Sequence, residues 1–363
     1  MRAIVVANAF ESDSDSRART TFAYFSRKVR RRTTPRIGKE ERMLNIDTKN
    51  LKNKNNLLAF SAGIDSSALF FLLIENKIKF DIAIVDYGVR EQSKEEVAHA
   101  KALAKKYKLF CHSIQAPNFD THFEKKARDF RYEFFDSLVT IEAYDNILTA
   151  HQLNDQLEWL LMRLTKGAGV CELIGLESVS KRKNYSLVRP LLGVAKSELL
   201  EYLKVHTYPY FIDKSNTDEK YERNKFRQQI SNTLIDEYKE GIKRSFEYLS
   251  TDKTRLESSF ETIYQTKELY VIKLHDRELK SKAVDITLKQ LGYLLSASQR
   301  QEIDKEQSMV IGGKWVVELQ DTLLYICPYL SADMPKAFKE MCRVDKIPAK
   351  IRPYIYKENI SIS

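Results

Sequence analysis

Cysteine is scarce and scattered in this 363-residue chain: Cys111, Cys171, Cys327 and Cys342 form no CxxC pair and no metal-ligand spacing. That excludes a disulfide scaffold or zinc ribbon and points to a reduced, cytoplasmic setting. No apolar run approaches the ~20 residues that span a bilayer, so no membrane partner is expected. The basic first 42 residues lack the apolar core that a secretory or twin-arginine signal needs. Aromatic residues are plentiful, yet no RRM or OB-type signature assigns them to base stacking. What is present is 43% apolar and 30% charged, enough for two or three domains with proper cores. The net charge of +10 suggests a polyanionic partner, but eleven Lys and Arg against five Asp and Glu fall within residues 1–42. That segment reads either as a disordered RNA-binding arm or, more simply, as an upstream extension before a native start at Met43.

Residues 57–73, LLAFSAGIDSSALFFLL, pass from an apolar run through small polar residues into apolar helical spacing. This is a strand, a tight loop and a helix start. Gly63 is expected to let the backbone turn without a Cβ penalty. Ser61, Ser66 and Ser67 should set hydroxyls beside the unpaired N–H groups of the helix, where the dipole favours anions. The loop reads as a phosphate binder. A Walker A loop would end in Gly-Lys-Ser/Thr, whereas the charged residue here is Asp65, which faces a phosphate only with Mg²⁺ between them. An ordinary Ser-capped helix after a buried strand is the alternative.

Downstream, FDIAIVD (80–86), LFCHSI (109–114) and NILTAH (146–151) read as strands, alternating with helices over 94–107, 122–140 and 154–164. The pattern predicts an α/β fold, an open and mostly parallel sheet with helices on both faces. Ligands in such sheets bind beyond the carboxyl ends of the strands, so 61–67, 86–90 and 151–158 should converge on one crevice.

Three further sets carry candidate chemistry. His151, Asp155 and Glu158, at i, i+4 and i+7, share one helix face; two carboxylates and an imidazole suit a metal or an ammonium group that must lose a proton, or form a solvated face. Glu124, Arg128 and Arg131 share another face, as a phosphate clamp or an intrahelical ion pair. Asp213, Ser215, Asn216, Asp218, Tyr221, Arg223, Asn224 and Arg227 form a turn-rich loop leading into a basic helix, and turn chemistry alone accounts for the short polar residues.

Joined in this order, the segments resemble the tRNA(Ile) lysidine synthetase family of N-type ATP pyrophosphatases. Its SGGxDS loop is met by Ser61 to Ser66, its ARxxRY segment by Ala127 to Tyr132, and its TAHxxDDQxET region is similar to Thr149 to Trp159. Gly167, Gly169, Leu173 and Gly175 fit the next element, Arg189 to Leu192 are RPLL, and residues 213–227 match DxSNxDxxxxRNxxR. The likeness covers roughly 55–230. Ala62 departs from a family glycine, Asn154 from the first of two aspartates, and Tyr87 from a frequent histidine.

The resemblance implies a Rossmann-like catalytic domain that uses ATP and Mg²⁺ to adenylate the wobble cytidine of an isoleucine tRNA with a CAU anticodon, followed by attack of L-lysine. It implies that Ser61, Ala62, Gly63, Ile64, Asp65, Ser66 and Ser67 hold ATP, with Asp65 on the metal, and that Arg131 and Arg128 meet the α-phosphate. Asp155 and Glu158 would receive the lysine ammonium, His151 would accept a proton, and Arg189, Arg223, Asn224 and Arg227 would serve substrate RNA or site closure. A tRNA thiolase shares the loop but commonly needs paired cysteines, which this chain lacks. The expected layout is 1–42 extension, 43–232 catalytic domain, 233–265 helical linker and 266–363 small α+β accessory tRNA-binding domain. Within the last, KAVDITL (282–288) reads as β-like and 288–303 as a helix. Oligomeric state is left open, with a homodimer one option.

Overall fold

The computed structural model describes residues 44–88, 92–119, 121, 123–212 and 222–361. Expectations placed on the 1–42 segment, Arg90, His122 and 213–221 lie outside the described residues. Strand β1 (Asn56–Ala59) is buried on both faces, which is why its sequence is a continuous apolar run and not an alternation. It leads into α1 (Ile64–Glu75), β2 (Phe80–Asp86), α2 (Gln92–Tyr107), β3 (Cys111–Gln115), α3 (Phe123–Glu142), β4 (Asn146–Leu148) and α4 (Leu153–Leu164). A short helix α5 (Val170–Leu173), a hairpin of β5 (Val179–Lys181) and β6 (Ser186–Val188), and α6 (Lys196–Val205) follow.

The six strands order as β3-β2-β1-β4-β6-β5, parallel throughout except for β5 at the edge. Because β1 lies between β2 and β4, the winding reverses there, and a crevice opens beyond the carboxyl ends of β1 and β4. Residues 66–73 of α1 are all buried, with the Phe70 ring edge-on to Phe71, Phe80 and Tyr107 at 5.2, 5.3 and 5.5 Å. A helix so embedded holds the preceding loop still. NILTAH pairs as a strand only through Leu148; Thr149 adds one more bond, to the Val188 carbonyl at 3.0 Å, and the chain then turns into the crevice.

Helix α7 (Glu222–Phe226) continues through a π-helical stretch, Arg227–Ser231, into α8 (Asn232–Glu257). A second, antiparallel sheet follows in the order β7-β8-β11-β10-β9. Its elements are β7 (Phe260–Thr266), β8 (Leu269–Leu274), α9 (Lys280–Gln290), α10 (Ala297–Lys305), β9 (Ser308–Ile311), β10 (Trp315–Gln320), β11 (Leu323–Pro328), α11 (Lys336–Val344) and α12 (Arg352–Lys357). Alternation along β10 sends Trp315 and Val317 to a core with Val284, Leu288 and Ile303, and Val316 to the opposite core with Cys342, Ile351 and Tyr354. The expected α+β character is present, with three local corrections. The helix of the linker expected over 233–265 stops at Glu257, and 260–266 is a strand. KAVDITL (282–288), read as β-like, belongs to α9, because Ala283, Val284, Thr287 and Leu288 bury a single helix face. The helix read over 288–303 is two, separated where Gly292 adopts φ +78.

Candidate active site

The loop 60–67 turns at an unexpected residue. Gly63 is extended (φ −74, ψ 172), and the left-handed conformation belongs to Ala62, at φ +56. The expectation for Gly63 is therefore corrected: Ala62 bears the conformational strain that a glycine would avoid. Its carbonyl accepts from Phe211 N–H at 2.9 Å and from the Ser67 hydroxyl at 3.1 Å, contacts that hold the strained turn in place. Ser67 is thus fully buried and faces inward, so its hydroxyl belongs to the loop's own scaffold. Ser66 accepts from Ser61 N–H at 3.2 Å, and the two hydroxyls lie 3.1 Å apart. Ser61 is exposed at the mouth.

Asp65 stands in the first turn of α1, where its Oδ1 is shielded from water and has no hydrogen-bond partner among the described residues. Burial raises its pKa from 3.8 to about 6; Lys196 is the cation that opposes this most, Asp155 and Glu158 add to it, and Arg227 offsets part. Lys196, at the start of α6, was not singled out from sequence. The available signal was its position four residues after the RPLL run, at a helix start facing the same crevice.

Asp155 and Glu158 do come together, three residues apart on α4. Asp155 accepts Gln152 N–H at 3.0 Å through Oδ2, closing a capping box that fixes its rotamer. Its Oδ1 faces Arg223 Nη2. Glu158 Oε2 accepts from Arg223 Nε at 2.8 Å and Arg227 Nη2 at 2.9 Å, and its Oε1 from Arg227 Nε at 2.6 Å. The side chains are 0% exposed for Glu158, 8% for Asp155, 14% for Arg227 and 47% for Arg223, so two buried acids are neutralised by two arginines one turn apart. Arg223 and Arg227, expected to serve substrate RNA or site closure, pair with the acids, and Asn224 between them is buried. Asn154, the departure from a family aspartate, accepts from Lys196 N–H at 3.1 Å and donates to Asn232 at 3.0 Å. An ionised aspartate at this position could only accept.

His151 Nδ1 lies 2.9 Å from the Thr149 hydroxyl. Burial lowers its pKa to about 4, with Asp155 opposing and Arg189, Arg223 and Arg131 adding to the fall. So lowered, the imidazole is neutral and hydrogen-bonds the Thr149 hydroxyl. Arg131, on exposed α3 surface, acts electrostatically on both His151 and Tyr87, which places the ends of β2 and β4 at one mouth. Arg128 lies over the Tyr132 ring, 5.5 Å from its centroid. Arg189 is buried, and its guanidinium donates to the Glu177 carbonyl at 2.7 Å and the Ser180 hydroxyl at 2.9 Å. These contacts tie it to the β5–β6 hairpin.

A parallel sheet whose first strand runs through SAGIDSS into a buried helix, with its crevice at the β1/β4 switch, defines a PP-loop protein; the PP-loop domain family matches residues 38–234. The tRNA(Ile)-lysidine synthase of Campylobacter jejuni (strain RM1221) is 43% identical over 86% of this chain and 96% of its own length. That of Wolinella succinogenes is 41% identical over 85% and 95%, and that of Helicobacter pylori (strain ATCC 700392 / 26695) 40% over 85% and 91%. The chain belongs to the tRNA(Ile)-lysidine synthase family. No helix among the described residues is long and apolar enough to cross a membrane.

Proposed function

We propose that the chain joins L-lysine to the wobble cytidine of a CAU-anticodon isoleucine tRNA in two steps. ATP adenylates the C2 oxygen of the base and releases pyrophosphate; the lysine ε-amine then attacks C2, AMP leaves, and lysidine is formed. The observation that carries this reading is the juxtaposition of Asp65, whose shielded Oδ1 has no partner among the described residues, in a phosphate loop with the Asp155–Glu158–Arg223–Arg227 quartet across the same crevice.

The N-terminal N–H groups of α1, with Ser61 and Ser66, are suited to the ATP phosphates. The shielded Asp65 oxygen is a hard donor of the kind Mg²⁺ takes alongside substrate phosphates, and the ion would neutralise charge on the leaving pyrophosphate. Arg131 meets the α-phosphate at the mouth, and His151 stays uncharged beside it. Asp155 and Glu158 orient the incoming amine. Because the two arginines already balance their charge, burial there favours the neutral amine over the ammonium, and the neutral amine is the form that attacks. The second sheet with α9–α12 serves as the accessory tRNA-binding domain.

The test is incubation with ATP, Mg²⁺, labelled lysine and the CAU-anticodon transcript, beside a transcript with uridine at the wobble position. Lysine should enter only the cytidine transcript, with one pyrophosphate released per lysine. Label in neither, or equally in both, refutes the assignment.

A further inference from the structure

A cavity of about 500 Å³ lies along the outer edge of the first sheet, between α3 and the β5–β6 hairpin. Tyr132 and Tyr185 line it, with Arg128 on one rim and Arg182 and Lys183 on the other. The hairpin tip closes through Arg182 N–H to the Tyr185 carbonyl at 2.9 Å, leaving Lys181, Arg182 and Lys183 exposed. Among the described residues none of these three side chains has an ion-pair partner. Asp129 and Asp136 also line the cavity, so the four cations Arg128, Lys181, Arg182 and Lys183 exceed these acids by two.

Direction along the fold gives the cavity its meaning. Helix α3 runs antiparallel to the strands, so Arg131 and Arg128 stand near the crevice and Thr140 at the far end, about 18 Å away at 1.5 Å per residue. Ser186 pairs with Asn146 at the start of β4, which sets the hairpin tip at that same far end. The groove therefore leads from the mouth of the crevice to a run of three cations, with aromatic walls between. Edge strands often carry lysine to prevent pairing with other chains, which would explain a lone exposed lysine. It does not explain three successive cations beside a groove that begins at the site.

We propose that this groove is a track for the phosphate backbone of the RNA substrate, holding the arm next to the reacting nucleotide from Arg128 at the mouth to Lys181, Arg182 and Lys183 at the far end. The inference rests on the reading that RNA is the substrate. Phosphate contacts position a nucleic acid without reading its sequence, so the effect is uniform across RNAs.

The experiment compares full-length protein with a triple variant, Lys181→Gln, Arg182→Gln and Lys183→Gln, for binding of the CAU-anticodon transcript and an unrelated tRNA at several salt concentrations. The dissociation constants of both RNAs should rise roughly tenfold, and the slope of log affinity against log salt should shrink by about two to three. Affinity for ATP should not change. A charge-conserving pair, Lys181→Arg with Lys183→Arg, should keep wild-type affinity and slope; losing both would assign the effect to hairpin distortion and overturn the proposal. Unchanged RNA binding by the triple variant overturns the groove alone. Wild-type protein that binds neither RNA overturns the substrate reading and the groove with it.

Discussion

Replacing Asp65 by Asn should stabilise the ligand-free protein while abolishing its chemistry. Burial lifts the Asp65 pKa from 3.8 to about 6, and at 1.36 kcal/mol per decade the ionised carboxylate is about 3 kcal/mol less favourable folded than unfolded. Below pH 3.8 the acid is protonated in both states and the penalty is absent. Between 3.8 and 6 the folded protein holds a proton that the unfolded chain has released, and above 6 the penalty is complete. Asp65→Asn should therefore gain about 2–3 kcal/mol over wild type at pH 8 and almost nothing at pH 4. Thermal or urea unfolding at both pH values, with a chelator present and ATP absent, measures it. Lys196→Met should move stability the other way at pH 8, because Lys196 is the charge that most offsets the penalty. A midpoint for Asp65→Asn at or below wild type at pH 8 would refute the reasoning, and retained pyrophosphate release would refute the role.

Glu158→Gln leaves two guanidinium groups facing a buried neutral amide and should cost about 3 kcal/mol; a change in lysine KM with unchanged unfolding would contradict the quartet. Gly175→Ala drives a methyl into the Trp159 ring, whose N–H is held by the Glu172 carbonyl at 3.0 Å. Chemical denaturation should show a loss of about 1–3 kcal/mol, and Gly167→Ala, with open space around its Cβ position, separates this steric effect from backbone strain at φ +72. Glu172 is held at about 2: burial pushes it up, but Lys282 at 2.6 Å and Lys289 at 3.1 Å prevail. Its contribution is therefore present above pH 4.5 and fades as pH falls towards 2. Glu172→Gln should cost about 1 kcal/mol at pH 7, after allowance for solvent screening, and less near pH 3; an equal cost at both would refute the ion-pair account.

The first four strands of the parallel sheet were legible because they carry local hydrophobic signals between helices with stripes of their own, whereas the short β5 (VSK) and β6 (SLV) carry no such run and were not read. The second sheet was harder to read. KAVDITL (282–288) has β-branched residues at helical spacing, and burial on the sheet decided in favour of the helix. Gly63 looked like the turning residue because glycine is permissive, yet the Phe211 and Ser67 contacts place the left-handed turn on Ala62.

SAGIDSS and the motifs after it determined, by residue type and order alone, a phosphate loop carrying an acid and a crevice bearing two carboxylates. Who partners those carboxylates was decided only by the fold. Asp155 and Glu158 are three residues apart on one helix and Arg223 and Arg227 four apart on another, 65 positions or more along the chain. Nothing local couples them. Only packing of the two helices brings the charges within hydrogen-bond reach and away from water, where they must pair, and the same burial leaves the Asp65 Oδ1 without a partner among the described residues.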